Sequence, residues 1–180
     1  MLELPGIGEV RLAWSDRGLL MLALPEAPPE AVEEAMVDRG IDAPELVDVP
    51  AQYADCLLAY AAGEPVDPVA LPVELIGTPF QLKVWSALRH VPRGSVRTYA
   101  GIAADVGTPR AVRAVGMANG ANPIAIVVPC HRIVETGLRL GGFSGGLAMK
   151  RRLLALEGVP VDGEKVRPGQ LELWDRLTEG

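Results

Sequence analysis

Cysteine and histidine are scarce: two of each stand in 180 residues. Cys56 and Cys130 lie far apart, so they form neither a disulfide framework nor a metal pattern. His90 and His131 add nothing at zinc-ligand spacing, and neither metal nor cofactor is expected. There is no run of about 20 apolar residues, which excludes a membrane-spanning helix on sequence grounds. Met1-Leu2-Glu3-Leu4-Pro5 lacks a basic stretch followed by an apolar one, so no secretory signal is expected. Two unpaired thiols suit a reducing compartment, and a cytoplasmic location is expected. No internal repeat or low-complexity tract is present.

Apolar residues make up 49% of the chain, enough for a real core, and the length suits one compact domain or two small ones. The net charge of −6 conceals a strong asymmetry. Residues 1–75 hold 3 basic and 15 acidic side chains, residues 76–158 hold 11 and 3, and residues 159–180 hold 3 and 5. A basic segment of this kind beside an acidic one points to a polyanion as partner, which excess negative charge alone argues against. Three segments follow: an acidic N-terminal part over 1–75, a basic part over 76–158 and a tail over 159–180.

Residues 7–14 and 18–24 read as strands, with turn residues Ser15 to Gly18 between them, and predict a hairpin. Pro29 to Asp38 predicts a short acidic helix. Residues 51–62 carry Tyr53, Leu57 and Tyr60 at helical spacing. Pro65, Pro68 and Pro72 mark 64–76 as a linker. Thr78-Pro79 predicts a helix start, with Phe80, Val84, Trp85 and Leu88 as its apolar positions. Thr98 caps a predicted helix over 99–105. Thr108-Pro109 starts another over 109–118, carrying Arg110 and Arg113. Two short helices joined by a glycine-containing turn predict a helix-turn-helix. Ile124 to Val128 reads as strand-like, and 146–157 as a last helix.

Cys130 stands between that apolar run and a histidine. A free thiol ionises near pH ~8.5 and reacts as the thiolate. His131 and Arg132 are expected to favour ionisation. Neighbours in an extended chain point apart, so His131 is expected to reach the sulfur through a water, with Glu157 orienting the imidazole. Cys56 lacks such neighbours and reads as core. His90, at a helix end, reads as a carbonyl cap.

Pro129-Cys130-His131-Arg132-Ile133-Val134 resembles the signature of the O6-alkylguanine-DNA alkyltransferases, also called methylated-DNA–protein-cysteine methyltransferases. Gly94 to Tyr99, Arg113 to Gly116, Asn122-Pro123, Phe143 to Leu147 and Lys150 to Glu157 agree in order and spacing, so the resemblance covers about 78–158. It implies an α/β N-terminal domain, a small antiparallel sheet with helices of ribonuclease-H-like type. A mainly helical C-terminal domain with a winged helix-turn-helix would follow.

The resemblance also implies that Cys130 takes an alkyl group from O6 of guanine, possibly from O4 of thymine, irreversibly and once per molecule. His131 would serve as base, Glu157 as its orienter, Tyr99 as donor to the leaving base and Asn122 as brace. Ser144, Ile133, Phe143 and Gly145 would hold the flipped base, Ser144 through its N–H and Ile133 through its carbonyl, as would the carbonyl of Cys130. Arg113 would fill the gap in the duplex. Arg110, Ala114 and Arg97 would join it on double-stranded DNA at the minor groove, with Arg89 and Arg93 as further phosphate contacts. A monomer in a bacterial or archaeal cytosol is expected.

Ala125 stands where many relatives carry proline, which bears on bulky alkyl groups, and Phe143 where they often carry tyrosine. The N-terminal zinc of some relatives is not expected, since that part has one cysteine and no histidine. Three rivals remain: a base-flipping binding module without a reactive cysteine, which Cys130 disfavours; a regulator that senses alkylation; and a cysteine hydrolase, which should turn over.

Overall fold

The computed structural model describes residues 1–28, 30–37, 40 and 48–167. β1 (Leu2–Leu4), β2 (Gly8–Trp14) and β3 (Leu19–Ala23) form an antiparallel sheet in that order, with Leu12 opposite Leu22. The predicted hairpin is β2–β3. β1, three residues long, is too short to display the alternation that marks a strand in sequence.

β3 pairs beyond its own sheet at two places. Leu19 N donates to Pro72 O and Glu74 N to Leu19 O, both at 2.9 Å. Leu22 N donates to Pro123 O at 3.0 Å and Ala125 N to Leu22 O at 3.1 Å. Gly18 permits the first pairing, because a Cβ there would lie 2.7 Å from Val73 N. The expected linker over 64–76 is therefore packed structure. It contains a 3-10 turn, Pro68–Ala70, capped by Asp67, whose Oδ1 accepts from Val69 N at 3.2 Å. Proline lacks the N–H but keeps its carbonyl, and Pro72 uses it on the edge of β3.

α1 spans Glu30–Val37; Pro29 and Asp38, the ends of the predicted helix, lie outside the described residues. α2 (Ala51–Ala61) buries Tyr53, Leu57, Tyr60 and Ala61, one stripe of the helix. α3 (Pro79–Leu88) begins as expected. Thr78 Oγ1 accepts from Gln81 N at 3.3 Å, Gln81 Oε1 accepts from Thr78 N at 2.9 Å, and Pro79 occupies the first turn. β4 (Arg97–Thr98) leads into α4 (Tyr99–Asp105), with Thr98 as N-cap.

α5 spans Val112–Gly120, three residues later than Thr108-Pro109 predicts. Ala111 N donates to Thr108 O at 2.8 Å, so 108–111 form a turn with proline at its second position. The fixed φ of proline suits that position as well as a first helical turn. Arg110 consequently precedes the helix. Trp85 Nε1 donates to Ala118 O at 2.8 Å and locks α3 to α5.

No regular strand forms over Ile124 to Val128; after the single pairing with Leu22 the chain folds through turns. A 3-10 turn, Cys130–Arg132, precedes β5 (Ile133–Val134), which runs parallel to β4. α6 (Gly146–Leu156) and the hairpin β6 (Val161–Asp162) and β7 (Lys165–Val166) complete the described fold. The main apolar core joins both halves, from Leu4, Leu22 and Tyr53 to Trp85, Ile124 and Leu153. The fold is a small sheet with helices followed by a mainly helical part. Among the described residues no helix is long and apolar enough to cross a membrane.

Candidate active site

The chain between α5 and Cys130 is held by one side chain. Asn122 Oδ1 accepts from Ile124 N at 3.0 Å, and its Nδ2 donates to Val128 O at 2.8 Å and to Cys130 Sγ at 3.0 Å. Ile126, fully buried, sits at φ +69°, a left-handed conformation rare for a β-branched residue. Such a residue persists only where its surroundings over-determine it. The apolar run is thus a tight, locked loop that delivers Cys130 to the core. The expected extended geometry at Cys130 is replaced by a 3-10 turn, because Arg132 N donates back to Pro129 O at 2.9 Å.

Cys130 is 3% exposed. Burial pushes its thiol above the ordinary value, although Asn122, the Lys150 charge and nearby backbone N–H groups pull the other way. The expected lowering by neighbours does not prevail, because desolvation of a buried thiolate outweighs it. The resting group is a thiol, and a base must remove its proton.

His131 is fully buried, with Nε2 2.8 Å from Glu157 Oε1. The same carboxylate receives Arg132 Nε and Nη2, each at 2.9 Å, and the Tyr60 hydroxyl at 2.9 Å. Burial alone would raise the Glu157 carboxyl, but His131 and Arg132 hold it well below the usual range, so it is ionised. His131 therefore donates from Nε2. Burial keeps the imidazole neutral, lowering its affinity for a proton despite the Glu157 charge. Nδ1 is then a lone pair, and among the described residues it makes no hydrogen bond.

Arg132 also donates to Asp67 Oδ1 at 2.9 Å and to Val91 O at 2.7 Å. Burial works against its charge, and Glu157 with Asp67 more than restores it. The sequence marks Arg132 only as a charge beside the thiol, and it gives Tyr60, Asp67 and Lys150 no individual site role. Tyr60 sits on an apolar helix stripe and carries a core signal alone, and Asp67 lies among prolines. Lys150 is fully buried, its Nζ donating to Ile133 O at 2.5 Å and to Leu140 O. Desolvation brings its ammonium down to about 8, against the charges of Cys130 and Glu135.

A cavity of about 570 Å³ lies between α5 and the loop before α6. Tyr99, Arg113, Asn119, Gly120, Glu135, Phe143 and Ser144 line it. The Tyr99 hydroxyl, 3.4 Å from Gly142 O, is pushed up to about 12 by burial and then by the charges of Cys130 and Glu135. Ser144 is exposed and Gly145 buried, where a Cβ would come within 2.7 Å of Leu24 Cδ1. A second cavity of about 240 Å³ brings Asn122, Ala125, Ser144 and Gly145 together with Leu24 and Ala27. The carbonyls of Cys130 and Ile133 already accept bonds within the protein, from Ile133 N and Lys150 Nζ.

The expected DNA-contacting arginines divide into two groups. Arg110 and Arg113 are exposed, as is Ala114. Arg97 pairs with Asp105 at 2.9 Å, Arg89 donates to Val69 O and Leu71 O, and Arg93 donates to Leu156 O at 2.7 Å. His90 Nδ1 lies 2.8 Å from Ser86 O, at the end of α3. Cys56 is half-buried against the core, its thiol raised by burial and by the Asp67 charge. Among the described residues no cluster of three or more histidine, cysteine or acidic side chains is placed to hold a metal.

A buried thiol next in the chain to a neutral histidine, itself backed by an ionised carboxylate, has the parts of a cysteine nucleophile with its base. A family model described as "6-O-methylguanine DNA methyltransferase, DNA binding domain" matches residues 79–159. A methylated-DNA–protein-cysteine methyltransferase of Mycolicibacterium paratuberculosis is 41% identical over 172 residues, covering 93% of this chain and 99% of that protein. The crystal structure of Mycobacterium tuberculosis OGT in complex with DNA matches with a TM-score of 0.69 at 39% identity, covering 84% of this chain and 88% of that one. The O6-methylguanine-DNA methyltransferase of Pyrococcus kodakaraensis matches with a TM-score of 0.66 at 29% identity, covering 83% of this chain and 98% of that one. The chain belongs to the methylated-DNA–protein-cysteine methyltransferase family.

Proposed function

We propose that this protein repairs alkylated DNA directly, moving an alkyl group, chiefly methyl, from O6 of guanine to Cys130 Sγ. The observation that carries this is the Cys130 thiol, 3.0 Å from Asn122 Nδ2, next in the chain to a neutral His131 paired with Glu157 at 2.8 Å. The sulfur lone pair forms a bond to the alkyl carbon, the carbon–O6 bond breaks, and its electrons pass into the purine. His131 Nδ1 takes the thiol proton, directly or through one water, and Glu157 stabilises the resulting imidazolium. Tyr99 donates to the purine as charge develops there, and the proton released from sulfur replaces the one Tyr99 gives. The net change is S–H and O–alkyl to S–alkyl and N–H. Nothing in this scheme cleaves the thioether, so each molecule acts once, as a methylated-DNA–[protein]-cysteine S-methyltransferase.

The target nucleotide leaves the duplex, because chemistry on a stacked base is blocked. The flipped base enters the 570 Å³ cavity, which Phe143 and Ser144 line, with the Ser144 N–H toward O6, Gly145 from the adjoining 240 Å³ cavity and the buried Ile133 behind them. Arg113 occupies the gap, while Arg110, Ala114 and Arg97 lie along the minor groove, whose poor sequence code suits a scanner. In this reading α4 and α5 are the helix pair of a winged helix-turn-helix domain within residues 76–158. Residues 1–75 are a ribonuclease-H-like domain and 159–180 a tail. The DNA complex of the M. tuberculosis relative supports DNA as partner. A cytosolic monomer without cofactor, acting also on O4-alkylthymine to a lesser extent, completes the proposal.

The test is intact-mass measurement after mixing the protein with a duplex containing one O6-methylguanine, beside a Cys130→Ala control. One added methyl, mapped to Cys130 and absent from the control, supports the proposal. An unchanged mass with the duplex bound sinks the transferase reading and favours a binding module.

A further inference from the structure

The basic half holds three acids, Asp105, Glu135 and Glu157. Asp105 is paired with Arg97 at 2.9 Å, and Glu157 is the buried centre of the His131–Arg132 network. Glu135 differs from both. It lines the 570 Å³ cavity with Tyr99, Phe143 and Ser144, and its side chain is 51% exposed. Its Oε2 stands 3.8 Å from the guanidinium of Arg139, itself 59% exposed, a separation at which an exposed pair contributes little. A Cβ built on Gly141 would lie 3.3 Å from Tyr99 Cε2 and 3.4 Å from Glu135 Oε1, so the carboxylate stands on the Tyr99 side of the cavity.

The cavity holds a second acceptor. Asn119 is 5% exposed, lines the same space, and its Oδ1 makes no hydrogen bond among the described residues. The carbonyls of Cys130 and Ile133, expected to hold the flipped base, each accept one bond already, from Ile133 N and Lys150 Nζ, and each keeps one lone pair. Glu135 and Asn119 Oδ1 thus give the cavity two side-chain acceptors, the second without a donor among the described residues. O6-alkylguanine has no hydrogen on N1, and its 2-amino group is the donor on that edge. O4-alkylthymine presents O2 and N3, acceptors only, and no N–H at all.

We propose that Glu135 is a specificity-determining residue that accepts from the 2-amino group of the flipped purine, with Asn119 Oδ1 as a second acceptor, and that it discriminates against O4-alkylthymine. This rests on the alkyl-transfer reading for the identity of the base. A hydrogen bond to a charged group adds preference for the amino-bearing base, and a bare carboxylate facing thymine O2 and N3 adds a penalty for the other.

The test measures binding, so that it does not depend on transfer. Duplexes carrying a single O6-methylguanine, O6-methylhypoxanthine (which lacks the amino group) or O4-methylthymine are titrated with Cys130→Ala protein, with and without Glu135→Ala or Glu135→Gln. Loss of the amino group is expected to weaken binding about tenfold when Glu135 is present and about twofold or less when it is alanine. Glu135→Gln, whose amide donates to thymine O2, is expected to raise binding of O4-methylthymine relative to O6-methylguanine about tenfold. An amino-group effect of equal size with and without Glu135 overturns the proposal. Failure of the transferase reading is seen separately, as an unchanged mass of the unmodified protein.

Discussion

The Tyr60 hydroxyl donates to Glu157 Oε1 at 2.9 Å across 97 residues of chain, with Tyr60 fully buried and Glu157 5% exposed. The acidic half thereby reaches the carboxylate that orients His131. Tyr60→Phe removes one of three donors on that oxygen while keeping the ring in the core. The expected cost is about 1–3 kcal/mol of stability, as for a buried bond to a charged group. Urea unfolding reads it, and a change within error of zero contradicts the role given to the hydroxyl.

Arg132 should matter far more than its partner Asp67. Arg132→Met leaves Glu157 short of two hydrogen bonds in a buried site and is expected to cost about 3–5 kcal/mol. The Asp67 side chain is 34% exposed, so water screens its pairing, and Asp67→Asn is expected to cost about 1 kcal/mol or less. Equal losses from the two substitutions contradict this ordering.

Glu157 makes stability depend on acidity. Its folded-state ionisation lies below the ordinary carboxylate range, so its contribution is complete above that range and is lost as pH falls through the folded value. Stability is expected to decline from about pH 5 downward. In Glu157→Gln, less stable throughout, that decline should be shallower. Parallel curves for the two proteins count against Glu157 as the source.

Lys150 acts at the other end of the scale. Its ammonium ionises at about 8 in the fold against an ordinary 10.5, so between those values the unfolded chain binds the extra proton. Stability from this group is expected to rise between pH 8 and 10.5, by an amount of order 3 kcal/mol. Lys150→Met should lack this rise, which chemical unfolding at several alkaline pH values measures.

The salt dependence of DNA binding separates the exposed arginines from the engaged ones. Arg113→Ala and Arg110→Ala should each reduce the slope of log affinity against log salt by about one. Arg89→Ala, which removes donors from two carbonyls, should chiefly lower stability. An unchanged slope for both Arg110→Ala and Arg113→Ala removes them from the DNA-facing set.

By itself the sequence determined what short-range chemistry encodes. The capped starts at Thr78 and Thr98, the stripe of Tyr53, Leu57 and Tyr60, the β2–β3 hairpin and the charge asymmetry are all carried by residues within a few positions of one another. The order of motifs around Pro129-Cys130-His131-Arg132 likewise indicated the family and put Cys130, His131 and Glu157 together.

Tertiary structure decided whatever depended on partners far along the chain. Thr108-Pro109 has the same local signal as Thr78-Pro79, yet it forms a turn, because a proline suits either place and only packing chooses. Ile124 to Val128 has strand composition but spends one residue pairing with Leu22 and then turns, held by Asn122. Prolines made 64–76 look like a linker, whereas Asp67 there meets Arg132 and Pro72 extends the β3 edge. The ionisation of the site was decided in the same way. Charged neighbours in sequence suggest a lowered Cys130 thiol, but burial among residues from both halves raises it, since desolvation is a property of the assembled core and of no local segment.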